Sequence, residues 1–389
     1  MLSSSARRGA AVLLSAAVLT TLSACGAAPD KTAGSAGGDG KNKTQPAAAT
    51  SVADFGGLEG LVAAAEKEGE LNVIALPADW ANYGEIQKAF AAKYPKVKIN
   101  AENPDASSAD EIAAVKSRKG QTRAPDVLDL GIAFARSGAA ENLFAPYKVT
   151  AWDQIPAAQK DADARWYNDY GGYVSIGCDA ARIPNCPQSF ADLAKPEYKG
   201  KVALNGNPTK SGSAFGGVYA AALANKGSFA DIQPGIDFFG RLKKSGNFIP
   251  VESTPATVEK GETPISIDWD YLNAGYAEQF KGKGVDWKVA IPTDGVYAQY
   301  YSQAINKDAP HPAASRLWME FLYSTEGQNL WLKGFARPVL LPAMTQAGTV
   351  DKEAVTKLPQ VQGTPTFPAS TELDKAKAAL AEKWDKALS

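Results

Sequence analysis

Two carboxylates, Asp268 and Asp270, close the apolar run Ile265-Ser266-Ile267-Asp268-Trp269-Asp270-Tyr271. If the run is a strand, alternation puts Ile265, Ile267 and Trp269 on one face and both carboxylates on the other, about 6.5–7 Å apart. Like charges so placed repel unless water or a cation lies between them, which makes the pair a candidate cation acceptor. A solvated loop accounts for the same residues, and a strand ending at Asp268 leaves one carboxylate on that face. The second candidate is Asn205-Gly206-Asn207-Pro208-Thr209-Lys210-Ser211-Gly212-Ser213, between an expected strand and an expected helix. Asn207, Thr209 and Ser211 offer hydrogen bonds there, and amides at a helix start suit a carboxylate or phosphate. Lys210 stands in the wrong register relative to Gly206 for a nucleoside-triphosphate loop. Taken with the two carboxylates, the loop suits a zwitterion such as an amino acid or an aminophosphonate.

Covalent chemistry is poorly supplied. The one histidine, His311, lies between Pro310 and Pro312 at an expected helix start, where a surface or capping role is the ordinary one. There is no Gly-x-Ser-x-Gly elbow and no clustered metal-ligand motif, so no catalytic residue, metal or cofactor is expected. A hydrolase built on paired carboxylates stays open, because their separation is not written in sequence. A structural protein without a saturable ligand is the third class.

The elements that must position these residues alternate. Leu71–Leu76 reads as a strand, followed by a helix on which Tyr83, Ile86, Phe90 and Tyr94 recur, with Asp79 as a candidate cap. A strand at Val97–Ala101, a helix at Ala109–Lys119 and a strand at Val127–Leu130 continue the rhythm, which predicts a mostly parallel sheet covered by helices. A second set runs through Lys201–Leu204, Ser211–Asn225, Ile232–Lys244, Phe248–Val251 and Ile265–Asp268. Trp287–Ile291 and Tyr300–Ile305 look extended, and the last helix carries Leu373, Leu380, Trp384 and Leu388 on one face. Two α/β lobes with a cleft between them follow from this layout.

Charge and cysteine usage bound the setting. Without Arg7 and Arg8 the chain keeps 39 basic against 42 acidic side chains, a balance that argues against nucleic acid as a partner. Those arginines open a segment with an apolar stretch from Ala10 to Leu22, too short to span a bilayer and typical of an export signal. Residues from Gly26 to about Ala53 are small and polar without apolar periodicity, so a flexible tether is expected. Outside the cytoplasm, Cys178 and Cys186 read as a disulfide worth about 2–3 kcal/mol, with two buried thiols as the alternative.

Leu22-Ser23-Ala24-Cys25 resembles the lipobox of bacterial lipoproteins, which implies cleavage before Cys25 and a lipid anchor on the outer face of the cell membrane. With that signal, the stretches Lys195–Phe215 and Ala309–Gln328 resemble the ferric-iron and polyamine branches of the solute-binding proteins of ABC importers. The resemblance implies a two-lobed, type II periplasmic-binding-protein fold that closes on a small solute, docks on a membrane permease and performs no covalent chemistry. The expected organisation is a signal peptide over 1–24, a tether over 25–53, a first lobe over 54–165, a second over 166–290 and a return with C-terminal helices over 291–389, acting as a monomer. Asp79-Trp80-Ala81-Asn82-Tyr83 resembles the Trp-x-x-Tyr of polyamine binders, whose aromatic faces attract ammonium groups by about 0.5–2 kcal/mol each. Trp80, Tyr83 and Trp269 are thus implied as walls and Asp268 and Asp270 as ammonium acceptors, although Tyr83 equally fits a buried helix face and Trp80 its cap. The ferric branch holds iron with adjacent tyrosines, and at that place this chain has Trp269-Asp270-Tyr271. Tyr300 and Tyr301 are adjacent, but strand alternation turns them apart. A polyamine-like amine is therefore the expected solute, with ferric iron, an amino acid or an aminophosphonate as alternatives.

Overall fold

One strand belongs to two sheets and organises the rest. The computed structural model describes residues 45–359, 361 and 367–389, so the expected signal peptide, Cys25 and most of the expected tether lie outside the described residues. In chain order come α1 (Leu58–Glu68), β1 (Glu70–Ile74), α2 (Tyr83–Lys93), β2 (Lys98–Glu102), α3 (Ser108–Ser117), β3 (Val127–Gly131) and α4 (Ile132–Ala140). Next are β4 (Phe144–Ala145), β5 (Tyr167–Asp179), β6 (Val202–Leu204), α5 (Gly212–Ala224), α6 (Gln233–Ser245) and α7 (Pro255–Lys260). After them follow β7 (Ile265–Trp269), α8 (Asp270–Gln279), β8 (Trp287–Ala290), β9 (Ala298–Asn306), α9 (Pro312–Leu322), α10 (Thr325–Lys333) and β10 (Arg337–Pro338). A last helix spans Ser370–Leu388.

β5 is buried along its whole length, and each half has its own neighbours. Tyr167–Tyr173 pairs with β9, and β10 joins at Tyr170 and Gly171. Val174–Cys178 pairs with β7, and β8 joins from Ile176 to Asp179. The strand order is β3-β9-β5-β7-β6, with β1 and β2 as a separate parallel pair. β1 is held beside β3 by the Asp126 amide donating to the Asn72 carbonyl at 2.9 Å.

The expected mostly parallel sheet is corrected. Only β1–β2 and β6–β7 pair in parallel, whereas every partner of β5 is antiparallel. The β-α-β rhythm was legible, but the late strand β9 inserts antiparallel between β3 and β5, and β10 joins β5 antiparallel as well. Phe248–Val251 contributes a single bridge, Phe248 to Val202, rather than a strand. Residues 46–53, expected in the tether, pack on the body. Ala49 is buried, and Arg316 donates to the Ala49 carbonyl at 2.8 Å and the Ala47 carbonyl at 3.0 Å. A buried guanidinium needs acceptors, and this small polar segment supplies them.

Trp318, Trp331 and Trp384 are buried, as their helical spacing predicts. Trp384 packs edge-on against Phe239 of α6, while Lys377 on the same helix donates to Ser137 of α4 at 2.9 Å. Cys178 and Cys186 are joined as a disulfide, Cα atoms 5.8 Å apart.

His311 stands at the N-cap position of α9, whose first amides Glu68 accepts, and it holds Asp126, its amide on Oδ1 and its Nδ1 beside Oδ2, each at 2.8 Å. The Asp126 bond is the main cause of a raised His311 proton affinity, while burial pushes the Asp126 carboxyl up as well. A raised histidine stabilises fully below its unfolded value, and that stabilisation fades as pH climbs through the higher folded value. His311→Ala should therefore cost about 1 kcal/mol at about pH 5 and less at about pH 8. Urea unfolding at both pH values checks this, and an equal loss at both would remove the charge from the account.

Candidate functional site

The C-terminal end of β3 supplies the floor of a cleft. In Val127-Leu128-Asp129-Leu130-Gly131 alternation puts Asp129 and Gly131 on one face, against α3 and α5. The Asp129 amide donates to Glu111 Oε2 at 3.0 Å, and the Gly131 amide to Ser108 Oγ at 3.1 Å. A Cβ on Gly131 would lie 3.0 Å from the Gly212 Cα, so these glycines let the start of α5 meet the first sheet's edge. Together the elements enclose a cavity of about 170 Å³. Trp80, Asp79, Asp105, Ser107, Ser108, Glu111, Asp129 and Tyr301 line it on the first-sheet side, and Asn205, Ser211, Gly212, Glu252, Ser253, Thr254 and Tyr276 on the other.

The electrostatics are one-sided, because among the described residues five carboxylates and no lysine or arginine line this cavity. Asp129 is 5% exposed; its Oδ2 accepts the Tyr170 hydroxyl at 2.7 Å, and its Oδ1 is buried without a protein partner. Burial pushes its carboxyl up to about 7 against the pull of Tyr170, Tyr83 and Gln303. Glu111, wholly buried beside it, is pushed well above the carboxylate range, by burial first and then by the Asp129 charge. Glu252 is raised by burial and by Asp105 across the cleft. A cation entering here meets acceptors on both sides.

The aromatic wall is set by a strained turn. Ala81 and Asn82 have φ of 45° and 71°, which swings Trp80 toward the cavity before α2 begins. Asn82, not Asp79, is the N-cap position, and Asp79 faces the cleft instead. Trp80 Nε1 donates to the Tyr170 hydroxyl at 2.7 Å, and its ring meets Tyr301 edge-on at 5.5 Å.

Of the residues expected from sequence, Trp80 and Ser211 line the cavity. Ser211 caps α5, accepting from the Ala214 amide at 3.3 Å and donating to the Asn205 carbonyl at 2.8 Å. Tyr83 does not reach the cleft. It is fully buried against Trp331 at 4.9 Å and accepts from Gln303 at 2.9 Å, because the first apolar position of α2 faces the core. Trp269 is likewise a core ring, packed among Tyr271, Tyr297 and Tyr301. Asn207 and Thr209 close a turn on themselves, the Thr209 hydroxyl on Asn207 Oδ1 at 2.8 Å, and neither lines the cavity.

The paired carboxylates are also separated. β7 stops at Trp269 and Asp270 begins α8, so the shared-face geometry fails. Asp270 is fully buried, with Oδ2 on Arg337 Nη1 at 2.5 Å and Oδ1 accepting the Tyr173 amide at 2.9 Å. Asp268 is buried behind the cavity wall. It accepts from Ser213 and from Asn205 at 2.8 Å, and burial raises its carboxyl to about 6. Its role is to orient Asn205, which does line the cavity.

Sequence reasoning passed over Asp129, Glu111 and Glu252. Asp129 carried a signal, since a lone acid inside an apolar strand is rarely buried without a task. Tyr300 and Tyr301 face opposite sides, Tyr301 on the cleft and Tyr300 against Phe367 at 5.9 Å.

Two α/β layers sharing a central strand, with a polar cleft between them, define a two-lobed periplasmic binding protein, and solved proteins of that type share the fold. Residues 123–360 match the family described as bacterial extracellular solute-binding protein, and the chain belongs to that family, whose members serve ABC importers. It is 26% identical to an uncharacterized protein of Haemophilus influenzae over 268 residues, 65% of this chain and 73% of that one. A "Probable ABC transporter periplasmic-binding protein" of Sinorhizobium fredii is 25% identical over 33% of this chain and 37% of its own length. Among solved structures, the periplasmic binding protein AfuA from Actinobacillus pleuropneumoniae, with fructose-6-phosphate bound, superposes with a TM-score of 0.64. It shares 21% identity and covers 82% of this chain and 98% of its own. Among the described residues no helix is long and apolar enough to cross a membrane.

Proposed function

We propose that this solute-binding protein captures a small cationic amine, polyamine-like, in the acidic cleft and hands it to its permease chemically unchanged. One observation carries the reading: among the described residues five carboxylates and no basic side chain line one cavity, with Asp129 buried on its floor. A buried carboxylate without a cation is costly, and an ammonium group would offset the charge of Asp129 and favour ionisation of Glu111 beside it. Trp80, Tyr276 and Tyr301 offer faces for the methylene chain and further attraction for the charge. Micromolar affinity requires about −8 kcal/mol, within reach of a few such contacts. Export and lipid attachment at Cys25 belong to the same proposal and rest on the lipobox-like sequence.

The test is calorimetric titration with putrescine and n-butylamine, which share one ammonium and differ in the second. Glu252 and Asp105 face the cavity from opposite sides, so a second ammonium has a place between them. Glu252→Gln should weaken putrescine about fivefold, roughly 1 kcal/mol, and leave n-butylamine unchanged. Absence of saturable binding by either amine ends the proposal.

A zwitterion is the second reading, favoured by the first turns of α3 and α5, whose Ser108 and Gly212 line the same cavity. Amides at those helix starts suit a carboxylate or phosphonate at the far end of an amine. γ-Aminobutyrate binding more tightly than putrescine would favour it.

A further inference from the structure

The Tyr170 hydroxyl stands between cleft wall and floor, 2.7 Å from Trp80 Nε1 and 2.7 Å from Asp129 Oδ2. An indole N–H can only donate, so the Tyr170 oxygen is the acceptor of that bond. Its single proton is then left for Asp129, and Oδ2 must be the accepting oxygen. That bond occupies one of the two acceptor sites on Oδ2 and fixes how the carboxylate is turned. For the ionised Asp129 the direction of this chain follows from valence.

The aim of Tyr170 also has a structural cause. The register of β5 against β9 shifts between Asn168 and Gly171, so Asp169 and Tyr170 together face Tyr301. Such a bulge re-aims side chains and strengthens local twist. Here it sends the Tyr170 ring between Trp331, centroids 4.2 Å apart, and Tyr301, 5.6 Å apart, and the ring is fully buried. The ring has no room to turn away, so the hydroxyl stays on its two partners.

We infer that Tyr170 is a positioning residue for ligand capture, holding Asp129 by Oδ2 and tying the orientation of that carboxylate to Trp80 on the cleft wall. This rests on Asp129 being the cation acceptor, yet the positioning itself can be read without any ligand. The ionisable groups around Asp129 are Glu111 from α3, Tyr83 from α2, Asp169 and Tyr170 from β5, Tyr271 from α8, Tyr301 from β9 and Tyr323 after α9. Tyr170 is the first of three side chains that favour ionised Asp129, ahead of Tyr83 and Gln303, and burial opposes ionisation.

The experiment follows the Asp129 carboxyl by NMR in the empty protein carrying carboxyl-labelled aspartate, the signal being assigned by its loss in Asp129→Asn. Tyr170→Phe should raise the Asp129 midpoint by about one pH unit or more. Near neutral pH that shift lowers putrescine affinity roughly fivefold, and the gap closes as pH rises past the new midpoint. In an Asp129→Asn background Tyr170→Phe should have no further effect on affinity. An unmoved midpoint, or a loss of affinity that is the same at every pH and persists in that background, overturns the inference. Should Tyr170→Phe fail to fold, Trp80→Phe is expected to move the midpoint the same way by less, and an unmoved midpoint there is equally fatal. If the midpoint shifts while putrescine does not bind even the unaltered protein, the positioning stands and the amine reading falls.

Discussion

Asp129→Asn protein should bind putrescine at least about a hundredfold more weakly than the unaltered chain, a loss of about 3 kcal/mol or more. The same substitution should make the empty protein more stable at about pH 8, because it removes a carboxyl whose ionisation burial opposes. The sign follows from the upward displacement of Asp129 to about 7. An acid raised on folding binds its proton more tightly in the native state, so the empty protein loses stability as pH climbs from the ordinary carboxylate range toward 7. Without that carboxyl the slope should flatten. Calorimetric titration and melting curves across pH check both halves. Unchanged affinity would remove Asp129 from the site, and an unchanged slope would mean that Asp129 is not the group that titrates. Opposite signs for affinity and stability are what a binding residue held at a cost predicts.

Arg337→Ala should destabilise the protein by about 3–5 kcal/mol, the usual result of leaving one buried partner of an ion pair alone. Arg337 holds Asp270 Oδ2 at 2.5 Å, lies 4.9 Å from the centre of the Tyr173 ring and donates to the Pro359 carbonyl at 2.7 Å. Burial already displaces Asp270 upward, with Arg337 the main opposing influence. Once the arginine is gone the carboxyl can escape its penalty by taking a proton, so the loss should be smaller at about pH 5 than at about pH 8. Denaturant unfolding at the two pH values measures it. A loss independent of pH would assign the effect to packing of the arginine stem over Tyr173. Adding Asp270→Asn to Arg337→Ala should restore part of the stability at the higher pH.

Much of the layout was legible because apolar runs and helical spacing are local signals. Tyr83, Ile86 and Phe90 mark the buried face of α2, and Leu373, Leu380 and Trp384 that of the last helix, directly in the chain. Trp80 was legible as an aromatic beside a strand end, and its aim then depended on the left-handed turn at Ala81 and Asn82. What stayed hidden was who partners whom. Asp270 finds Arg337 67 positions later, Asp268 finds Asn205 63 positions earlier, and Tyr83 meets Gln303 across 220. Each pairing turns a candidate ligand group into internal support, and no spacing rule announces it. Asp129 shows the converse, since it lines the cavity and, among the described residues, no basic side chain lines it with Asp129.

The strand common to both layers has a consequence for how the chain is made. β5 ends at Asp179, yet its neighbours β7, β9 and β10 begin at Ile265, Ala298 and Arg337. A polypeptide delivered N-terminus first therefore holds an unmatched ribbon until β7 emerges, and the first half of that ribbon until β9 does. Such delayed closure slows folding and leaves the ribbon open to stray association. The arrangement also keeps the growing chain loose enough to be threaded through a narrow pore before it can lock.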